Sequence, residues 1–145
     1  MSKSKRFEIV KDVVTQLKTI KKPKLGVVTS KSEDLTRLAK TAFPHVRVDV
    51  LSETSEDIAM DAKLVTMPVT VTVSLMATDK GEGAESKVAD IVEAIEEKLE
   101  QDRKRNKQAQ TTELVEVSEI TTLANPIVQT TMTYNIQYTH TRGNR

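Results

Sequence analysis

A chain of 145 residues without cysteine fits one domain large enough to bury a core, and it has neither disulfides nor thiolate metal ligands. Its 22 basic and 21 acidic residues leave a formal net charge of +1, so no bulk field draws it to nucleic acid or membrane. Phe7, Phe43, Tyr134 and Tyr138 are the whole aromatic inventory, which offers little for a single-stranded nucleic acid to stack on.

The basic start, Met1 to Arg6, leads into an amphipathic stretch rather than an apolar signal core, and no apolar run approaches a bilayer span; a soluble protein is expected. Over residues 7–20, Ile9, Val10, Val13, Val14, Leu17 and Ile20 recur at three- and four-residue spacings and predict a helix that ends before Pro23. Leu25 to Val28 reads as a strand or a connector. Ser30 and Glu33 have the spacing of a capping box, and Leu35, Leu38, Ala39 and Ala42 support a short second helix stopped near Pro44.

The period then changes to two. Val46, Val48 and Val50 predict a half-buried strand, and an acidic, hydroxyl-rich loop is expected over residues 52–61. A longer strand follows, with Val69, Val71, Val73, Leu75 and Ala77 on one face and Thr70, Thr72, Ser74 and Met76 on the other; Pro68 assigns it to a sheet edge or marks its start. After a turn at residues 79–83, Val88, Ile91, Val92, Ile95 and Leu99 predict the strongest helix, residues 85–102, with a polar exit reaching Gln110. Two strands, 112–122 and 127–140, flank a turn at Asn125 and Pro126. The order α-α-β-β-α-β-β predicts an α+β fold, with helices packed on one face of a mixed, mainly antiparallel sheet. One domain spans 1–145, with flexible ends expected at about 1–6 and 141–145.

Nothing in this pattern predicts catalysis. His45 and His140 each lack a neighbouring ligand pattern, and each reads as a surface or strand-end histidine; the serines sit in no nucleophile-elbow motif. Glu53, Glu56, Asp57 and Asp61 are hard-oxygen donors, but their spacing matches no calcium loop and a solvated hairpin loop accounts for them. Gly81 and Gly83 precede a helix as a phosphate cradle would, yet Ser86 replaces the third glycine and Glu82 and Glu85 would oppose a pyrophosphate. The run Arg103 to Lys107 could meet phosphate backbones, while its position at a helix C-terminus is already favoured by the helix dipole. No cofactor, metal or catalytic residue is expected.

Missing charges are more informative. Leu64 to Thr78 and Ile120 to Thr139 contain no Asp, Glu, Lys or Arg, in a chain that is 30% charged. Threonine is a good strand former and pairs with itself across strands, which is a local account. Coverage by neighbouring subunits is the other account, because interface centres are depleted in charge. Lys11, Lys18 and Lys22 fall on one side of the first helix, and Glu93, Glu96, Glu97 and Glu100 form an acidic stripe on the long one. Such stripes would set subunit register in a ring, or would simply be solvated faces. The candidate interface residues are therefore Lys11, Lys18, Thr70, Thr72, Glu93, Glu97, Thr131 and Thr133.

The leading helix from Phe7 to Ile20, the Pro68 strand Val-Thr-Val-Thr-Val, the helix Val88 to Leu99 and the closing strands Glu113 to Val117 and Thr131 to Tyr138 together resemble the tail-terminator, or tail-completion, proteins of long-tailed bacteriophages. The resemblance runs from about Phe7 to His140 and rests on element succession and apolar positions. It implies a structural virion protein of the tail, assembled in the host cytoplasm as a homo-oligomeric ring, usually a hexamer. Such a ring caps the tail tube, ends tube polymerisation and presents a surface to the head–tail connector. Its implied partners are the tail tube protein and the connector or neck protein, with no membrane, and DNA passes through without specific binding. Another tail or neck subunit, or a small nucleic-acid-binding module using Arg103 to Lys107, are the alternatives.

Overall fold

The computed structural model describes residues 5–21, 25–30, 35–37, 43–76, 82–105, 109–124 and 127–141. Two helices, α1 (Lys5–Lys18) and α2 (Glu82–Gln101), accompany seven strands: β1 (Val28–Thr29), β2 (His45–Val50), β3 (Thr54–Ala59), β4 (Ala62–Met76), β5 (Thr111–Val117), β6 (Thr121–Ala124) and β7 (Ile127–Thr141). The path across the sheet is β1-β2-β4-β7-β5, with β3 added to β4 and β6 to β7. Only the β1–β2 pair is parallel among the described strands.

The expected α+β class with the order α-α-β-β-α-β-β is thereby corrected: among the described residues sheet dominates, with seven strands against two helices. Each discrepancy has a physical source. Of the second helix, only a 3₁₀ turn at Leu35–Arg37 is described, and Glu33 of the capping box, Leu38, Ala39 and Ala42 lie outside the described residues. The expected loop at 52–61 contains β3, whose six residues are all exposed. With no buried face it shows no apolar alternation, and pairing with β4 holds it extended. The strand predicted at 112–122 is two strands. A register shift distorts β5 between Leu114 and Glu116, and the strand breaks after Val117, where Ser118 is held by donation from the Thr130 hydroxyl to its carbonyl, 2.7 Å.

Pro68 is the most instructive correction. It sits inside a fifteen-residue strand that has neighbours on both sides, not at an edge or a start. The Leu51 N–H donates to the Pro68 carbonyl at 2.8 Å, so that side of the residue faces the gap where the chain crosses from β2 to β3. A proline lacks its N–H on that same side, and the crossing backbone does not require one there.

β4 and β7 pair along their whole lengths, from Ala62↔Thr141 to Met76↔Ile127. Alternation puts Val65, Met67, Val69, Val71, Val73 and Leu75 of β4 on the same face as Met132, Tyr134, Ile136 and Tyr138 of β7, all buried. The helices close this face. α1 buries Ile9, Val13 and Leu17, and α2 buries Val88, Ile91, Ile95 and Leu99, each set spaced by three and four residues. α1 lies beside α2 and over β1 and β2, while α2 packs on β4, β7 and β5.

Candidate subunit interface

The side of the sheet away from the helices carries the uncharged positions. Thr70 faces Thr133 and Thr72 faces Thr131, so four of the eight candidate residues form one block. Their neighbours along the two strands are Thr66 and Gln137, Pro68 and Asn135, and Ser74 and Gln129. Thr72 Oγ1 and Thr131 Oγ1 are 3.4 Å apart, Gln137 Nε2 donates to Thr66 Oγ1 at 3.3 Å, and Ser74 Oγ donates to Gln129 Oε1 at 3.5 Å. These are long, weak bonds that tie the strands together; Ser74 is itself buried, whereas Thr66, Thr72, Gln129, Thr131 and Gln137 are half-buried.

Charge returns only at the margins. On β2, Arg47 and Asp49 pair at 3.0 Å and flank Thr72 and Thr70. On β5, Glu113 and Glu116 flank Asn135 and Thr133. An uncharged hydroxyl and amide centre inside a charged rim has the anatomy of an interface patch.

The other four candidates are elsewhere. Lys11 and Lys18 are exposed on α1, and Glu93 and Glu97 are exposed on α2, in the helix layer on the opposite side of the sheet from the threonines. The structure therefore gathers the threonines and leaves the charged stripes as a separate surface; Lys22 lies outside the described residues.

The basic run is taken apart. Arg103 Nε donates to the Thr112 carbonyl at 3.2 Å, and the Thr112 hydroxyl donates to the Arg103 carbonyl at 2.9 Å, stitching the end of α2 to β5. Arg105 is 0% exposed. Its Nη2 donates to the carbonyls of Leu99, at 2.6 Å, and Asp102, and its Nη1 lies 3.3 Å from Asp12 Oδ2 of α1. Burial lowers its pKa and raises that of Asp12, with the opposite charge working against both shifts. What remains in solvent among the described residues of this run is Arg103 and Lys104; Asn106 and Lys107 lie outside them.

Two features escaped sequence reasoning. The β3–β4 hairpin forms a tongue, braced by β7 up to Thr141↔Ala62 and tied at its base to α1. There Arg6 pairs with Glu53, the Tyr138 hydroxyl donates to Glu53 Oε2 at 3.0 Å, and Lys5 Nζ donates to the Thr139 carbonyl at 3.0 Å. Beyond the base the tongue exposes Ile58 and Met60, the latter 97% exposed. The second feature is an apolar margin at Val115, Val117 and Ile120, exposed beside the register shift in β5. The Glu-Leu-Val-Glu-Val sequence gave a hint of the latter.

The other candidates have plain structural positions. His45 begins β2, at a strand end as one of its two expected positions, and is buried with its ring 6.5 Å from that of Phe43; His140 is half-buried on β7. Gly83 falls in the first turn of α2, and Gly81 lies outside the described residues. Among the described residues no group of His, Asp and Glu could hold a metal ion, and no helix is long and apolar enough to cross a membrane. No protein-family profile matches the chain, and no curated protein matches its sequence.

Proposed function

We propose that this chain is a structural subunit that closes into a ring and caps the tail tube of a long-tailed bacteriophage, ending tube growth and offering its other face to the head–tail connector. The observation that carries the reading is the uncharged centre on the open sheet face, Thr70, Thr72, Thr131 and Thr133 inside the rim of Arg47, Asp49, Glu113 and Glu116. A sheet face left to water usually alternates charged residues with the core positions, whereas a face covered by another subunit loses them. The burial of Arg105 takes one cation out of the basic run and weakens the nucleic-acid alternative, which needs its cations at the surface, where Arg103 and Lys104 remain.

The mechanism is binding. A heterologous contact repeated around an axis gives a closed ring only if its rotation closes, and a closed ring has no free end on which another subunit of its own kind can add. The test is to add the purified chain to tail tube protein that is polymerising and to image the products by negative stain. Closed rings at tube ends and shortened tubes are expected. Open-ended filaments of this chain would instead assign it to the tube itself, and tubes of unchanged length with bare ends would reject the reading.

A further inference from the structure

The tongue and the outer face of α1 are complementary in both charge and apolarity, and both carry exposed side chains. On the tongue, Met60 is 97% and Ile58 is 53% exposed, with Glu56 and Asp61 beside them. On α1, Phe7, Lys11, Thr15 and Lys18 lie on the face opposite the buried Ile9, Val13 and Leu17, and Phe7 is 55% exposed. Asp57 stands opposite Lys63 across the hairpin and Glu53 is paired with Arg6, so those acids are balanced locally. Glu56, Asp61, Lys11 and Lys18 make no ion pair among the described residues.

We infer that the tongue of one copy docks on the α1 face of the next, with Ile58 and Met60 against Phe7 and the Glu56 and Asp61 carboxylates against Lys11 and Lys18. This deepens the ring reading, and rests on it, by naming the contact that sets rotation between neighbours. Docking inside one chain is opposed by the base of the tongue, where Arg6, Glu53 and Tyr138 fix it at the start of α1 while both surfaces remain exposed. Simple strand addition along β3 is opposed by the edge itself, which carries Glu56 and Asp57 and a register shift between Asp57 and Ala59, the devices that blunt edge pairing. Charge also selects the receiving surface. The apolar margin at Val115, Val117 and Ile120 is flanked by Glu113, Glu116 and Glu119, which would repel an acidic tongue, whereas the α1 face attracts it. A thioether against an aromatic edge adds a favourable contact at the apolar end. Because the two surfaces differ, the contact is heterologous, as a ring of more than two copies requires.

The test is a charge swap on the full chain, read by light-scattering mass over a concentration series, with circular dichroism confirming that each variant is folded. Lys11→Glu with Lys18→Glu, and separately Glu56→Lys with Asp61→Lys, should each raise the concentration needed for half-assembly by at least about tenfold, roughly 1.4 kcal/mol. Combining all four changes should restore assembly to within about threefold of the unaltered chain, and Met60→Ser should weaken it without changing the fold. Rings that tolerate both reversals would overturn the contact and leave the ring reading standing. So would a four-fold variant no better than its parents, or rescue of the α1 reversal by Glu93→Lys with Glu97→Lys instead. An unaltered chain that stays monomeric throughout would overturn the contact and the ring reading together.

Discussion

Arg105 shows how one residue can carry several structural duties. Its backbone has φ 50°, the left-handed conformation that usually follows a helix C-terminus and that glycine adopts without cost. An arginine there gives up about 1 kcal/mol of backbone ease, and its side chain offsets this by taking two carbonyls at the end of α2 and facing Asp12 of α1. Arg105→Met should therefore cost about 3 kcal/mol, because it leaves the Asp12 carboxylate largely buried without its counter-charge. Adding Asp12→Asn should recover much of that loss in a denaturation cycle. The pH dependence has a definite sign: a carboxyl whose folded pKa is raised above 3.8 favours the native state while protonated and loses that contribution as pH rises through the folded value. Arg105→Met should steepen this fall between mildly acidic and neutral pH, which urea titrations at several pH values would detect.

Tyr134 gives a cleaner case. Its ring is buried against the helix layer, and its hydroxyl has no hydrogen-bond partner among the described residues. Burial pushes its pKa well above 10.0, helped by Glu96 and Glu100. Below pH 10.0 the phenol is neutral in both states; above it, the unfolded chain ionises first and native stability declines. Tyr134→Phe should be neutral or slightly stabilising near pH 7, since it removes a buried polar atom without a partner. It should also flatten the alkaline limb of the melting curve. A loss of more than about 1 kcal/mol at neutral pH would mean that the hydroxyl is bonded in the native protein.

At the scale of elements, the β4–β7 ribbon is both the core wall and the proposed contact surface. Its two faces separate those roles, and a substitution can address one without the other. Thr72→Lys or Thr133→Glu should impair oligomerisation by at least about tenfold while shifting Tm by only a few degrees, because these side chains sit away from the helix-covered core. Normal assembly of both variants by mass measurement would mean that the open face stays wet. Elements with a buried face were legible in sequence: α1, β2, α2 and the long strands announce themselves through Ile9, Val46, Ile91, Val71 and Ile136 at helical or alternating spacings. The uncharged sheet face on which Thr70, Thr72, Thr131 and Thr133 meet was also legible, from the absence of charge around them in sequence. β3 was not, since an edge strand with six exposed residues carries no burial pattern and is specified by its partner β4. Pro68 misled for a related reason: the rule against central prolines assumes a ladder on both sides, and the β2-to-β3 crossing interrupts one of them. Arg105 was hidden by composition, because charge alone does not reveal which member of a basic run turns inward.

For the whole molecule, surfaces of different character point in different directions: a threonine and amide face on the open sheet, a basic strip on α1, an acidic strip on α2, and an apolar-tipped acidic tongue. A protein that acts alone has little need of such segregation, whereas the subunit proposed above, which would meet copies of itself and other proteins, does. The charged contacts predict that assembly weakens as salt rises, because exposed pairs are screened beyond about 10 Å at 0.1 M ionic strength. The threonine face should be far less sensitive. The most direct check of the central claim is the light-scattering mass of the purified chain across a wide concentration range. A plateau at a fixed whole number of 16.2 kDa chains, six by the resemblance to tail terminators, is the predicted result. A mass that stays at one chain throughout, or climbs without limit as concentration rises, would contradict it.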